Sequence, residues 1–222
     1  MKITWIGHSC FKLEQDGYSI VIDPYQDDSV AGLSPVRETA NEVLMTHDHF
    51  DHNAVDKVKI EKNVNSPFTV SAIETYHDDE KGAKRGPNRI YIFEAGGQKV
   101  IHLGDLGCEL TDDQMEALVG ADAVMIPVGG TYTIDAAQAA QLTVDLDAKY
   151  TIPMHYRSVE SEFGLPDIGT VYDYTIRLTG VMVTSIPTLD LDEPYPAKVV
   201  VLQPQNMTKQ FMSIGDLEKM SF

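Results

Sequence analysis

The feature that most constrains this fold is a series of short apolar segments, four of which lead directly to a histidine or an aspartate. The residues at these segment ends are His47, His77, Asp105 and His155. Short runs rich in β-branched residues are typical of β-strands, and open α/β sheets bind ligands at the carboxyl ends of their strands. We therefore predict that four separate strands deliver reactive side chains to one edge of a sheet.

The order of the predicted elements indicates an α/β fold. Strands in hairpins come first, and strands alternate with helices in the second half, which favours sheets with helices packed outside. The predicted strands are residues 3–6, 11–14, 19–22, 43–45, 68–75, 90–93, 99–103, 123–127, 150–154, 181–186 and 198–202, and the predicted helices are 111–118, 136–146 and 171–178. Residues 1–205 are predicted to form a single domain, and residues 206–222 a C-terminal tail of unknown role.

Composition narrows the class of partner. The formal net charge is −17, and the 17 basic residues are scattered along the chain, whereas nucleic acid is bound through clustered basic residues. No segment approaches the ~18–20 apolar residues of a membrane span, and the first residues lack the features of a signal peptide. Two cysteines without a CxxC pair favour a reducing compartment. We expect a cytoplasmic protein that acts on a small molecule, either as a monomer or as a homo-oligomer.

The segment 46–52, Thr-His-Asp-His-Phe-Asp-His, is the strongest local signal in the chain. Three imidazoles and two carboxylates on such a short turn provide ligands that can converge on adjacent cations. Imidazole nitrogen and carboxylate oxygen together suit zinc, manganese or iron. A histidine-rich surface loop is the alternative, and the further ligands at strand ends disfavour it.

The motif His47-x-His49-x-Asp51-His52 resembles the signature of the metallo-β-lactamase superfamily, and later motifs of that family are matched in order by His77, Gly104-Asp105 and His155. Segments 6–9, 21–24, 103–107, 127–130 and 152–156 are similar to a branch of small bacterial metal-dependent hydrolases that includes ascorbate-6-phosphate lactonase. This resemblance covers about residues 1–203. It implies a four-layer αβ/βα sandwich, in which two mixed β-sheets are flanked by helices and the metals lie at one edge.

The resemblance also implies a ligand set for two divalent metal ions, with zinc as the first choice and manganese or iron as alternatives. One ion is expected on His47, His49 and His77, and the other on Asp51, His52 and His155. Asp105 would bridge the two ions, as one carboxylate can give an oxygen to each. A bridging water or hydroxide would then attack a small ester, lactone, phosphoester or amide, with Asp51 and Asp105 in the catalytic set.

Several further residues are candidates for catalysis or substrate binding. His8 follows the first strand and is expected at the same edge, either in substrate binding or proton transfer or in a structural hydrogen bond. Asp23 either orients a ligand histidine or caps a turn, and His102 is expected in the core. The substrate-binding candidates, with turn or surface roles as the alternative, are Arg85, Gly130, Tyr132 and Arg157; an anionic substrate would explain the two arginines.

Other functions occur on the same fold. A non-haem iron oxidoreductase or dioxygenase typically keeps two histidines and one carboxylate with open positions, so the full ligand set here favours hydrolysis. A nuclease of this fold would carry an inserted domain or a clamping arm, neither of which is recognisable, and the acidic charge also disfavours it. A binding module without activity would have lost ligands, and none is missing from the motifs.

Overall fold

Two β-sheets face each other in the computed structural model, which describes residues 1–62 and 64–209. The strands are β1 (Lys2–Gly7), β2 (Cys10–Gln15), β3 (Tyr18–Ile22), β4 (Thr39–Ala40), β5 (Glu42–Leu44), β6 (Lys59–Ile60), β7 (Thr69–Tyr76), β8 (Pro87–Ala95), β9 (Gln98–His102), β10 (Ala123–Pro127), β11 (Tyr150–Met154), β12 (Val181–Val183), β13 (Thr188–Asp190) and β14 (Val199–Val201). The α-helices are α1 (Asp112–Leu118), α2 (Ala136–Leu146) and α3 (Val171–Thr175), and a 3₁₀ helix spans Val55–Lys57.

Both main sheets are mixed. The first has the strand order β13-β1-β2-β3-β5, in which β5 is parallel to β3 and the other neighbours are antiparallel. The second has the order β12-β14-β11-β10-β9-β8-β7, in which the pairs β7–β8 and β8–β9 are antiparallel and the others parallel. The prediction of an α/β fold with two mixed sheets is confirmed, and β4 and β6 form a small additional sheet.

The core lies between the two sheets. Every residue of β10 and β11 is buried, which explains why their sequences are continuous apolar runs rather than alternating ones. Trp5 and Phe11 of the first sheet belong to the same hydrophobic cluster as residues of β10 and β11, and the Phe11 ring contacts the ring of His102 on β9. Each fully buried aliphatic or aromatic side chain contributes about 1.5–3 kcal/mol.

The helices are few, and each follows a strand of the second sheet. Thr111 and Asp135 cap α1 and α2, as predicted, and each forms a capping box with the glutamine three residues later. In both boxes a side-chain oxygen accepts a backbone N–H of the first turn that the helix itself cannot satisfy. Helix α3 ends at Thr175 rather than at the predicted residue 178.

The predicted strand 181–186 is wrong in its second half. Strand β12 ends at Val183, and the chain then crosses to the first sheet, where β13 pairs antiparallel with β1. Pro187 stands at this crossing and lacks the backbone N–H that a continued strand would donate. The sequence reasoning missed β13 because its three residues, Thr188–Asp190, are too short to show a periodicity.

Residues 206–209, the described part of the predicted C-terminal tail, pack against the domain. The Asn206 amide donates to the carbonyl of Ser34, the Asn206 backbone N–H donates to the carbonyl of Ile6, and Met207 is buried. Residues 210–222 lie outside the described residues. Among the residues described, no helix has the length and apolar character required to cross a membrane.

Candidate metal centre

Three of the predicted ligands lie at one edge of the second sheet. Strand β8 is antiparallel to both β7 and β9, while β9, β10 and β11 run parallel. The carboxyl ends of β7, β9 and β11 therefore lie at the same edge. His77 and His155 directly follow β7 and β11, and Asp105 follows β9 after two residues.

The first sheet brings its own histidines to this edge. His8 follows β1, and the segment 46–52 follows β5. The backbone N–H of His155 donates to the carbonyl of His8 at 3.3 Å, which joins the two sheets at the site. His8 and His155 have φ angles of 54° and 52°, a left-handed conformation that is uncommon for residues other than glycine and that clusters at functional sites.

The Asp105 carboxylate lies at the centre of the cluster. Its Oδ2 atom is 3.0, 3.2, 3.3 and 3.9 Å from the Nε2 atoms of His155, His52, His77 and His47. Burial raises the pKa of Asp105, but the charges of His155 and His52 outweigh burial and hold the pKa well below its usual range. The carboxylate is therefore ionised and positioned between the two predicted ligand sets.

Hydrogen bonds on the outer side of three imidazoles leave their Nε2 atoms free. The Nδ1–H of His77 donates to the carbonyl of Tyr132 at 2.9 Å, and the Nδ1–H of His52 donates to Asp23 at 3.0 Å. The Thr46 hydroxyl donates to Asp23, and its oxygen accepts a hydrogen bond from the Nδ1–H of His47. Such contacts fix the tautomer of metal-binding histidines.

The inner atoms of the cluster fit a bound cation. Among the described residues, the Nε2 atoms of His47, His52 and His155 and the Oδ1 atom of Asp105 are buried without a hydrogen-bond partner. A buried polar atom without a partner costs about 1–3 kcal/mol, so four of them in one cluster are suited to ligating a cation. Imidazole nitrogens and a carboxylate are the donors that zinc and related metals take.

The ligand-type atoms fall into overlapping groups, and the atoms of each group lie within 4.8 Å of one another. The groups are His47–His49–His77, His47–His52–Asp105, and His8–Asp51–His52–His155. The structure thus brings together all seven predicted metal ligands. It adds His8 to the side of the cluster that holds Asp51, where His8 Nε2 is 3.2 Å from Asp51 Oδ2.

His8 is buried behind Asp51, whereas the catalytic role predicted for it requires contact with the substrate. It does not line the cavity that opens onto the metal centre. Burial is the main cause that lowers the pKa of His8 to about 4, so the imidazole is neutral at neutral pH. Because Asp51 Oδ2 can only accept, His8 donates from Nε2, and His8 is placed to orient Asp51.

Asp23 supports two of the histidines at once. One oxygen accepts from the backbone N–H of Thr46 at 2.6 Å, and the other accepts from the Thr46 hydroxyl and from His52 Nδ1. Asp23 is fully buried. The sequence left its role open between a turn cap and a contact to a ligand histidine, and the structure shows that contact.

Replacing Asp23 with asparagine is expected to weaken metal binding about 10- to 100-fold, the usual effect of losing the partner of a ligating imidazole. The variant keeps the shape of the side chain but loses the charge that holds the Nδ1 proton of His52. Chelator competition measures the affinity, and circular dichroism checks the fold. Asp122→Asn is the matched control, because Asp122 also accepts a backbone N–H, that of Lys99, outside the site. Equal losses in both variants would contradict the assignment.

Asn88 is a site residue that the sequence reasoning missed. Its Oδ1 atom accepts from the backbone N–H of Asp105 at 3.0 Å, and its Nδ2 donates to Thr75 Oγ1 and to the carbonyl of Leu103. Gly104, with φ of +58°, passes so close that an added Cβ would lie 2.3 Å from Asn88 Oδ1. No sequence motif includes Asn88, because its hydrogen-bond partners are 13 to 17 residues away. The only local signal was the Gly104-Asp105 pair, whose glycine allows the close approach to Asn88.

A cavity of about 500 Å³ opens onto the metal centre. Of the four predicted substrate-binding residues, Arg85 and Tyr132 line it. Arg157 and Gly130 do not line it: the Arg157 Nε donates to the carbonyl of Ile168 at 2.6 Å, and Gly130 is buried, so their role in substrate binding stays a prediction. Arg157 therefore fastens the loop that carries Ile168. His102 lies in the core, where it donates to the carbonyl of Ser9.

Comparisons with known proteins identify the family of the chain. Residues 2–155 match the family model described as a beta-lactamase superfamily domain. A UPF0173 metal-dependent hydrolase of Pyrobaculum neutrophilum is 29% identical over 193 residues, with 71% of this chain and 85% of that protein covered. A solved structure from Thermotoga maritima, assigned to the zinc-dependent hydrolases of the metallo-β-lactamase superfamily, is 35% identical, with a TM-score of 0.71 and coverage of 90% of this chain and 97% of that one.

A more distant structure supports the fold alone. Igni18, a metallo hydrolase of Ignicoccus hospitalis, is 22% identical, has a TM-score of 0.60, and is matched over 91% of this chain and 95% of its own length. The fold, the histidine and aspartate cluster and these relatives define a metal-dependent hydrolase. The chain belongs to the metallo-β-lactamase superfamily.

Proposed function

We propose that this protein hydrolyses a small ester, lactone or phosphoester with two divalent metal ions, zinc in the first instance. The observation that carries the proposal is the position of Asp105, whose Oδ2 lies within 3.9 Å of four histidine Nε2 atoms from both predicted ligand sets. A single carboxylate in this position suits a bridge between two ions. The Thermotoga maritima relative is assigned to zinc-dependent hydrolases, which supports zinc over manganese or iron.

One observed group, His47, His49 and His77, would hold one ion. Asp51, His52 and His155, which share a second group with His8, would hold the other ion, and Asp105 would serve both. Bound divalent ions of this type polarise the scissile carbonyl or phosphoryl group and lower the pKa of a coordinated water towards ~7.

The protein's own residues hold this arrangement in place. Asp23 fixes His52 directly and His47 through Thr46, while the Tyr132 carbonyl fixes His77. The Nε2–H of His8 donates a hydrogen bond to Asp51 Oδ2 at 3.2 Å, so His8 acts as a positioning residue for that ligand. The cavity of about 500 Å³ is within the ~300–1,000 Å³ range of small-molecule sites.

Other features of the chain favour this proposal over its alternatives. A dioxygenase centre typically needs only two histidines and one carboxylate, whereas eight ligand-type side chains, the seven predicted ligands and His8, converge here. The net charge of −17 opposes a nuclease function and binding to nucleic acid. Cys10 and Cys108 are unpaired, in keeping with a cytoplasmic location. A small molecule is the proposed partner, with no requirement for a membrane or for a second copy of the chain.

Metal removal and reconstitution test the proposal. We expect protein stripped with a chelator to lose its activity on a panel of aryl esters, lactones and phosphodiesters. Added zinc should restore that activity. Elemental analysis should then give about two zinc ions per chain, because the proposed ligands form two sets with one shared carboxylate. The stripped protein on the same panel is the control. Saturation at one ion, or unchanged turnover by the stripped protein, would contradict the proposal.

A further inference from the structure

Arg85 is a cation in the cavity wall with no carboxylate partner. No ion pair among the described residues includes its guanidinium, although this chain has 34 acidic residues against 17 basic ones. One nitrogen, Nη2, donates to the carbonyl of Thr131 at 3.1 Å, and the guanidinium carbon lies 5.4 Å from the centre of the Tyr132 ring. Since a guanidinium has five N–H donors, most of them remain available to a ligand.

The loop that carries Arg85 is held in shape before any ligand arrives. The buried Asp78 carboxylate accepts the backbone N–H groups of residues 80, 82, 84 and 85 at 2.7–2.9 Å. The backbone N–H of His77 donates to the carbonyl of Gly86, which ties the loop to a proposed metal ligand. Arg85 is thus fixed beside the metal centre, and little conformational entropy is lost when it binds an anion.

The same cavity has an apolar wall. Phe50 belongs to the histidine motif, lines the cavity with Leu165 and Pro166, and is 59% exposed. The loop of Phe50 is held by its carbonyl, which accepts the backbone N–H of Gln26 at 2.9 Å. A large apolar side chain kept exposed beside a polar centre offers binding free energy to a ligand that covers it.

Apart from the proposed metal ligands Asp51 and Asp105, the acidic groups that line the cavity are exposed. Asp48 and Asp167 are exposed, and Asp48 accepts a hydrogen bond from the Asn53 amide at 2.7 Å. Arg85 is only partly exposed and packs over Tyr132. Solvent screens the exposed carboxylates more than the guanidinium. Two bound divalent ions would outweigh the charges of Asp51 and Asp105, so the inner wall of the metal-loaded protein would favour an anion.

We propose that the substrates are small amphiphilic anions, whose carboxylate or phosphate group is bound by Arg85 and whose apolar part covers Phe50 and Leu165. The inference rests on the proposed hydrolytic function and names its substrate class. A guanidinium pairs with either oxyanion through two parallel N–H donors, so the two chemistries share this site.

Calorimetric binding to the zinc-reconstituted protein tests this inference with probes that contain no hydrolysable bond. The probes are hexanoate, hexylphosphonate, acetate, hexanol and hexylammonium. We expect the two hexyl anions to bind at least about tenfold more tightly than hexanol, since hydrogen bonds between charged groups are stronger than those to a neutral hydroxyl. Hexanoate should also exceed acetate by about twofold or more per added methylene. The tighter of the two hexyl anions identifies the preferred oxyanion.

Matched variants assign the binding to these residues. Arg85→Gln should weaken both hexyl anions about 10- to 100-fold and leave hexanol unchanged. Lys84→Gln is the control, because Lys84 lies next to Arg85 but pairs with Asp79 and Glu80; it should retain wild-type affinity. Phe50→Ala should remove much of the difference between hexanoate and acetate.

Three results would overturn the inference: equal anion affinity in Arg85→Gln and the wild type, tighter binding of hexylammonium than of hexanoate, or no gain from acetate to hexanoate. These measurements need no turnover. Failure of the proposed function would appear instead as absence of metal-dependent hydrolysis in the ester, lactone and phosphodiester panel, so the two failures are distinguishable.

Discussion

Replacing Asp105 with asparagine is expected to lower hydrolysis by about three orders of magnitude or more, since the metals provide several kcal/mol of transition-state stabilisation and each 1.4 kcal/mol is a factor of ten. The Asp105 Oδ2 atom lies within 3.3 Å of three histidine Nε2 atoms. Asparagine has nearly the same shape but only one oxygen and no charge, so it cannot serve both ions.

The fold should survive this change, because the bond from the Asp105 backbone N–H to Asn88 does not involve the side chain. Activity is measured as kcat/KM on the best substrate of the panel, metal content by elemental analysis, and the fold by circular dichroism. Asp113→Asn, in the exposed first turn of α1, is the control and should retain full activity. A variant with near-normal turnover and two bound ions would refute the bridging role of Asp105.

Lowering the pH from about 8 to about 6 is expected to weaken binding of the ion on His52, by up to about tenfold for each pH unit per displaced proton. Burial lowers the pKa of His52, but Asp105, Asp51 and Asp23 outweigh burial and raise the pKa well above its usual value when no metal is bound. His52 is then protonated at neutral pH, and the proton must leave when a cation binds. Because the protonated form gains as the pH falls, metal affinity falls with it.

The ion on the other ligand set should be retained to lower pH. Burial lowers the pKa of His47 to about 3, and burial is also the main cause that lowers the pKa of His49. The His47 imidazole is therefore neutral at pH 6 and gives up no proton to a cation, and the lowered pKa of His49 acts in the same direction. Metal content after dialysis at each pH, with calorimetry in two buffers to count released protons, separates the two ions.

Two variants identify the ion that responds to pH. His49→Asn should leave the pH-dependent loss of the ion on His52 unchanged, because this variant alters only the ligand set of His47, His49 and His77. His52→Asn should abolish both the pH dependence of metal binding at its own set and the release of a proton on binding. Loss of both ions in a single transition, or metal binding without proton release at pH 7, would contradict the assignment of the proton to His52.

The sequence was most informative where ligands follow a strand. His47, His77, Asp105 and His155 are separated by up to about a hundred residues, but each comes at or just after the end of an apolar run. Because strands that run the same way end at the same edge, the sequence alone predicted that these side chains meet. The resemblance to the metallo-β-lactamase superfamily supplied the two ligand sets, and their pairing with individual ions stays a proposal.

The supporting residues could not be assigned from the sequence. Asp23 reaches His52 across 29 positions, and Asn88 reaches Asp105 across 17. Whether an aspartate or asparagine near a strand end caps a turn or contacts a distant side chain depends on which strands are neighbours. Arg157 shows why position in the sequence is not enough: it follows a predicted ligand by two positions, but its Nε donates to the Ile168 carbonyl and it does not line the cavity.

By itself, the sequence determined the fold class, the strand ends that carry the site and the residue types of the metal centre, because hydrophobic periodicity and local motifs are short-range properties. Only the tertiary structure decided that Asp105 lies between both histidine sets, that His8 is hidden behind Asp51, and that Arg85 rather than Arg157 faces the cavity. These outcomes depend on the packing of two sheets against each other, and the distances that result from such packing are not encoded in any one segment.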